Sequence, residues 1–486
     1  MINRKGGVEV VIVGDHKRIV IPFLNKVKHD PARLSGVRIL HTHLEEQTLD
    51  QEDLMDMIFL RLDSMEVLTV SEEGSPRSFA WAHILPSTKQ NQAYFLSPLC
   101  PWDKANFNPL VSAQNLEKEL ERISQSSSPV QRENTALLIS IDNTSKKIQE
   151  QSLQELEELA KTAGLEVKGY FIQRVKKINP SHILGKGKLA ELEVAALQQG
   201  ASILVFNREL SPSQLRNLTN ITERKVLDRT QLILDIFAQH AKTKAGQLQV
   251  EMAQLKYTLP RLIKQNRAFS RLAGGIGGRG PGETKLEIDR RKIRDRISKI
   301  KKDLEQIKKQ RATARNLRQK SDIPTVALIG YTNVGKSTLL NTLTQSNVLV
   351  ANKLFATLDP SSKKMRYPEN KEIIFTDTVG FISNLPTDLK EAFSATLEEL
   401  YPAHLLLHVA DASHPDLEHQ IQAVEHILKD LHLDEKPKLL ILNKWDKLTP
   451  SQQTKLQLTY PQAIAISALK KIGLKELTET ILQTLF

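Results

Sequence analysis

A single cysteine, Cys100, stands in 486 residues. No disulfide can form within the chain, and thiol usage this sparse suits a reducing cytosol. The opening MINRKGGVEV has no apolar run of the signal-peptide kind. No stretch approaches the ~20 consecutive apolar residues of a membrane span. These absences exclude a disulfide-stapled secreted scaffold and a membrane-spanning helix, and they predict a cytoplasmic protein. A net positive charge is also missing from most of the chain. Residues 252–320 hold 21 Lys and Arg against 6 Asp and Glu, a balance of +15. The whole chain carries +12, so everything else together carries −3. A basic excess confined to one segment is the electrostatic footprint of a polyanion partner, RNA before others. A solvated charged helix is the alternative.

What is present bounds the architecture. At 486 residues about three domains are expected, and 40% apolar content is enough for real cores. The clearest stretch is Thr325–Thr338, TVALIGYTNVGKST. Thr325–Gly330 reads as a buried strand and Ser337 onward as a helix. Between them Gly330, Tyr331, Thr332, Asn333, Val334, Gly335, Lys336, Ser337 and Thr338 form a phosphate-cradling loop of the G-x-x-x-x-G-K-S pattern. Glycine admits close backbone approach, and the loop N–H groups with the helix N-terminus face an anion. Lys336 is expected at the β and γ phosphates as a catalytic group, and the Ser337 hydroxyl on Mg²⁺.

Three further motifs follow in order, each at a predicted strand end. Asp377-Thr378-Val379-Gly380 offers a carboxylate to Mg²⁺ through water and the Gly380 N–H to the γ-phosphate. Asn443-Lys444-Trp445-Asp446 reads guanine: Asp446 accepts from N1–H and the exocyclic amine, a donor pair adenine lacks. Asn443 fixes the guanine edge and Lys444 lies against the ring. Ser467-Ala468 supplies a backbone N–H to the guanine carbonyl. In Phe355-Ala356-Thr357-Leu358-Asp359, Thr357 is placed to close its hydroxyl on Mg²⁺ and its N–H on the γ-phosphate. Strands at Thr325–Gly330, Ile373–Asp377, Leu405–Asp411, Lys438–Asn443 and Ala463–Ser467, each followed by a helix, predict a doubly wound domain over 323–486 that binds GTP or GDP with Mg²⁺. Phe381 stands where Ras-type GTPases carry the glutamine that orients water, so slow intrinsic hydrolysis is expected.

Residues 246–320 read differently. Leu248, Met252, Leu255, Leu259 and Leu262 are spaced 4, 3, 4, 3, as are Ile293, Ile297, Ile300, Leu304 and Ile307. Both are narrow coiled-coil seams. AGGIGGRGPG, 273–282, separates them, which predicts an antiparallel helical hairpin with a glycine-rich tip flanked by Arg271 and Arg279. Pro260 predicts a kink. Residues 134–245 alternate strand and helix patterns and predict a small, largely parallel α/β domain. There Ser211-Pro212-Ser213-Gln214 is a helix start with N-cap, N1 proline and capping-box glutamine. Gly185-Lys186-Gly187-Lys188 reads as a basic turn before a helix rather than a phosphate site.

Residues 1–130 are the least legible. A hairpin is expected from Val8–Val13 and Arg18–Ile21, a strand at Val37–His41, helices at Leu54–Leu62 and Leu110–Ile123, and loop over Tyr94–Asn108. His41-Thr42-His43 followed by Asp53 and Asp56 is similar to the His-x-His…Asp pattern of JAMM-type metallohydrolases. It departs in lacking the serine and in a spacing off by one. Two surface histidines are the preferred reading there, with a zinc set as the alternative.

From about Thr135 onward the chain resembles the HflX family of GTPases. The resemblance rests on Glu209-Leu210-Ser211-Pro212-Ser213-Gln214, Asp228-Arg229-Thr230, Leu234-Asp235-Ile236-Phe237-Ala238, Gln254-Leu255-Lys256-Tyr257, Gly280-Pro281-Gly282-Glu283-Thr284 and the Phe355–Asp359 segment. It implies a GTPase that engages the large ribosomal subunit and its RNA, and that in several members splits stalled or idle ribosomes under stress. It also implies an arm reaching toward the peptidyl-transferase region. Family members bind ATP through the N-terminal part, but no full motif here matches that. The expected architecture is a multidomain α/β chain: an extension (1–130), a parallel α/β domain (134–245), a basic hairpin (246–320) and a P-loop GTPase domain (323–486). It is expected to act as a monomer. A GTP-switched assembly or docking factor is the alternative function. Weak association of the basic arm with anionic membrane is a third, disfavoured by the narrowness of its apolar seam.

Overall fold

The computed structural model describes the chain except for residues 15–18, 20, 22–32, 86–93, 125–133, 182, 223, 263–284, 320–322, 345–354, 356–360, 368–370, 383–396 and 398–399. The described residues divide into two compact units, Met1–Arg229 and Thr230–Phe486.

The first unit is built on two sheets. One has the strand order β1 (Ile2–Asn3), β2 (Val37–His43), β3 (Met65–Val70), β4 (Pro76–Ile84), β5 (Tyr94–Leu96), with β6 (Cys100–Pro101) also on β4. β2 and β3 are parallel and are joined by a crossover helix, Gln51–Phe59. Asp50 caps that helix by accepting from the Glu52 and Asp53 N–H groups, so it begins three residues before the expected Leu54 and ends at Phe59 rather than Leu62. β3 and β4 escaped the sequence reading, although the polar turn Ser71–Ser75 between two apolar runs is a hairpin signal. Tyr94–Asn108 is not all loop, since β5 and β6 pair with β4. The hairpin expected after Val8 does not form over its described part: Val8 makes one isolated bridge to Ile2, and residues 9–14 carry no strand. His41 is buried rather than on the surface.

The second sheet is wholly parallel, in the order β10 (Lys225–Asp228), β9 (Ile203–Phe206), β7 (Thr135–Asp142), β8 (Glu166–Arg174). The all-apolar runs of β7 and β9 suit strands covered on both faces. Ser211 and Gln214 form the expected capping box, with Pro212 opening the helix Pro212–Ile221. Gly185 is the N-cap of the helix Lys186–Gln198, in agreement with a turn before a helix. That helix serves both cores. Ala190, Val194 and Leu197 pack with the first sheet, and Leu189, Leu192 and Ala196 with the second. Its Glu193 is buried and accepts from Arg61 Nη2 (3.1 Å), Arg224 Nε (2.9 Å) and Thr222 Oγ1 (2.8 Å). Burial opposes its ionisation, but the two guanidiniums prevail and hold its carboxyl below the usual range.

In the second unit the helices Lys244–Leu262 and Lys285–Gln319 pack against each other. Their seam is Leu248, Met252 and Ile300, flanked by Leu255, Ile297, Leu304 and Ile307. Arg296 grips Glu251 with two bonds of 2.7 Å. The first helix continues through Pro260 to Leu262. The tip, Ala273–Gly282, and Arg271 and Arg279 lie outside the described residues. The remaining sheet has the order β12 (Ser361–Tyr367), β13 (Lys371–Asp377), β11 (Thr325–Ile329), β14 (Leu405–Asp411), β15 (Lys438–Asn443), β16 (Ile464–Ala465). All neighbours are parallel except β12, an antiparallel edge strand that its polar sequence SSKKMRY did not announce.

Glu193 gives a stability test. Glu193→Ala strands two buried guanidiniums and is expected to cost about 3–5 kcal/mol in denaturant unfolding. A loss below 1 kcal/mol would mean that solvent reaches both arginines.

Candidate functional site

Central strand β11 ends at Gly330, whose φ of 147° opens the phosphate loop. A Cβ there would lie 2.1 Å from the Val409 carbonyl oxygen, so the loop leaves the sheet along a path only glycine can take. Asn333 (φ 60°) and Gly335 (φ 95°) turn the chain back into the helix Lys336–Thr344. The loop is closed from the side by backbone bonds. Phe381 N–H donates to the Gly330 carbonyl at 3.0 Å, and Thr332 N–H to the Phe381 carbonyl at 2.8 Å.

Lys336 is buried and donates to the carbonyl oxygens of Gly330 (3.0 Å) and Tyr331 (2.7 Å). Burial pushes its ammonium down to about 8, against the opposing pull of Asp377. Ser337 Oγ donates to Asp377 Oδ2 at 2.7 Å, which brings two oxygen ligands together at the helix N-terminus. Thr378 Oγ1 donates to the Leu328 carbonyl and holds the turn after β13. A Cβ built at Gly380 would fall 3.0 Å from Lys336 Nζ, so this backbone lies beside the Lys336 ammonium. Phe381 is buried, its backbone paired with the loop.

The turn after β15 and the Ser467-Ala468 segment converge through Asn443. Its Nδ2 donates to the Val334 carbonyl at 2.8 Å, and its Oδ1 accepts the Ala468 N–H at 2.9 Å. The Ala468 N–H, expected at the guanine carbonyl, is thus engaged by Asn443 here. Lys444, in left-handed backbone (φ 63°), donates to the Asn333 carbonyl (2.8 Å) and Asp411 (2.7 Å). Asp446 is exposed in a short 3-10 turn, and Ser467 is buried with its Oγ accepting from the Lys470 N–H.

The structure therefore gathers Gly330–Thr338, Asp377, Gly380, Asn443, Lys444, Ser467 and Ala468 around one end of the sheet, with Asp446 beside them. Thr357 lies outside the described residues. Two contributors escaped the sequence reading. Asp411, at the end of β14, anchors Lys444. Phe355 (φ 55°, buried) packs edge-to-face on Phe237 with centroids 4.6 Å apart, fixing the chain two residues before Thr357. Asp411 has no local signal beyond its strand-end position. Phe355 lies inside a motif already singled out, but its partner is 118 residues away in sequence and leaves no local trace.

Comparison with known proteins matches this geometry. Three family models cover the chain in tandem: a GTP-binding GTPase N-terminal model (150–238), a GTP-binding GTPase middle region (240–318) and a 50S ribosome-binding GTPase (325–444). A GTPase HflX of Caldanaerobacter subterraneus subsp. tengcongensis is 51% identical over 339 residues, spanning 69% of this chain and 78% of the relative. This chain belongs to the HflX GTPase family. The Escherichia coli GTPase HflX is 44% identical over 352 residues, 72% of this chain and 82% of its own length. Among solved structures, a GTP-binding protein from Sulfolobus solfataricus in complex with GDP is 27% identical and covers 72% of this chain and 98% of that one, with a TM-score of 0.40. The chain is a P-loop GTPase, with residues 1–149 lying ahead of the three family models.

The tightest steric constraint yields the test. Gly330→Ala drives a methyl into the Val409 carbonyl and is expected to abolish GTP and GDP binding by calorimetry. Retention of affinity within threefold would show that the loop rebuilds without glycine.

Proposed function

We propose that this GTPase docks on the large ribosomal subunit, hydrolyses GTP there, and separates stalled or idle ribosomes. The observation that carries the reading is the polarity of the helical pair. Its seam turns Ile300 inward, while Arg291, Lys292, Arg294, Lys299, Lys301 and Lys302 remain exposed on the outer faces. A long cationic rod on a nucleotide-binding domain suits RNA phosphates. The glycine-rich tip, with Arg271 and Arg279, is assigned to the ribosomal contact that drives separation. The chain acts as a monomer in the cytoplasm. A docking factor that never separates subunits is the competing reading.

For nucleotide chemistry, the loop N–H groups and Lys336 hold the phosphates, and Asp446 selects guanine. The Gly380 N–H and the Thr357 N–H meet the γ-phosphate. The converging Ser337 hydroxyl and Asp377 carboxylate oxygens fit the hard, oxygen-seeking Mg²⁺, with Thr357 as a further ligand. When bound, that ion neutralises charge on the β and γ phosphates. Phe381 has no group to orient water and its ring is buried, which supports slow turnover without a partner.

Three experiments test this. Asp446→Asn is expected to weaken GTP binding at least tenfold and to admit xanthosine nucleotides; unchanged GTP affinity would refute the base assignment. Multiple-turnover assays are expected to show hydrolysis far below ~1 s⁻¹ for free protein and strong stimulation by large subunits. Deleting residues 273–282 should abolish subunit release on gradients while nucleotide affinity persists. Normal release by the deleted protein would reduce the tip to a connector and favour the docking reading.

A further inference from the structure

The first sheet carries a side-chain cluster that the GTPase chemistry does not use. His41 and His43 alternate along β2 and share the face that also turns Val37 and Ile39 inward. The crossover helix Gln51–Phe59 returns Asp53 to that face. His41 Nε2 and His43 Nε2 lie 3.0 Å apart. His41 Nε2 is 3.4 Å from Asp53 Oδ1, and His43 Nε2 is 3.6 Å from Asp53 Oδ2. One ligand atom from each of the three residues can be chosen with all three within 4.8 Å of one another.

Hydrogen bonding accounts poorly for this triangle. One shared proton can bridge the two imidazoles, but the carboxylate stands off both rings, beyond the ~2.7–2.9 Å of a charge-assisted bond. Metal spacing accounts for it better. Zn–N and Zn–O distances of about 2.0–2.2 Å set the edges of a regular tetrahedron near ~3.3–3.5 Å. The two imidazole nitrogens, 3.0 Å apart, and their contacts to the two different carboxylate oxygens, 3.4 and 3.6 Å, lie near that value, while one atom from each residue spans up to 4.8 Å.

The surroundings hold the ligands in place. Asp53 sits in the first turn of its helix, and its Oδ2 accepts the Asp50 N–H at 3.0 Å, within the capping box. The His41 side chain is only 6% exposed, whereas His43 and Asp53 are 22% and 21% exposed. The cluster is therefore anchored on one side and open to water on the other.

We propose that His41, His43 and Asp53 form a Zn²⁺ site with a fourth, solvent-facing position. Two imidazoles and one carboxylate are a donor set for a borderline cation and not for Mg²⁺ or Ca²⁺, which take oxygen ligands. Three protein ligands with a water in the fourth place is the arrangement of zinc sites that remain accessible to substrate. The site lies ahead of the segment covered by the GTPase family models, and none of its residues belongs to the nucleotide-binding motifs.

The test uses the full-length protein, treated with chelator and then saturated with Mg²⁺ and GDP. Titration with Zn²⁺ by calorimetry should show one equivalent, and Co²⁺ in its place should give the intense visible bands of a four-coordinate ion. His43→Ala and Asp53→Asn are the informative variants, because neither fills the core as His41 does. Each should lower Zn²⁺ affinity by about 100-fold or more and remove the Co²⁺ bands, with GDP affinity and the thermal transition of the metal-free protein unchanged. Absence of a bound equivalent in the unsubstituted protein would overturn the proposal. So would Zn²⁺ affinity in both variants within threefold of the unsubstituted protein.

Discussion

One amide holds the nucleotide site together. Asn443 joins the phosphate loop at Val334 to the base-reading turn at Ala468, and both bonds are buried. Three segments more than a hundred residues apart at their extremes are thereby set to one geometry. The tie also dictates a residue in the loop: a Cβ at Gly335 would lie 2.5 Å from Asn443 Nδ2. Gly335 is therefore needed for its backbone angle and for its missing side chain at once. Lys444 adds a second brace, bridging Asn333 and Asp411. Strand β15 delivers both residues, and its parallel pairing with β14 brings Asp411 alongside Asn443.

The legibility of the sequence follows the range of the interactions. The P-loop was readable because strand, glycine turn and helix N-terminus are contiguous, and each imposes its own residue types. The helical pair was readable because a seam with spacing 4, 3, 4, 3 reports its packing face along one helix at a time. The capping box at Ser211 was readable for the same local reason. Reading failed where structure depends on partners distant in sequence. β12 is a polar edge strand, and only its pairing with β13 makes it a strand. The first 130 residues mix short strands with long connections, so their hydrophobic pattern lacks a sustained period. The alternation in VRILHTH puts His41 with the inward set Val37, Ile39, which buries it, but the composition of the strand end does not announce that.

The relation between the first sheet and the parallel sheet belongs to the same class. An extension ahead of the family pattern reads as a separable module. Instead, the helix Lys186–Gln198 contributes Ala190, Val194 and Leu197 to one core and Leu189, Leu192 and Ala196 to the other. Glu193, on the same helix, pairs with Arg61 from the first region and Arg224 from the second. A helix that is apolar on two faces cannot be satisfied by one sheet. The extension is thus part of the folded core of Met1–Arg229.

A similar economy links the nucleotide domain to its arm. Phe355 is held at a φ of 55°, a backbone state costly for a bulky residue, and its ring is buried against Phe237. Phe237 lies on the helix Arg229–His240, and the arm's first helix begins at Lys244, only a short connection later. The anchor of the Thr357 segment and the root of the arm are therefore neighbours along the chain. Edge-to-face packing of two buried rings resists small displacements, since any gap forfeits dispersion contacts on both faces.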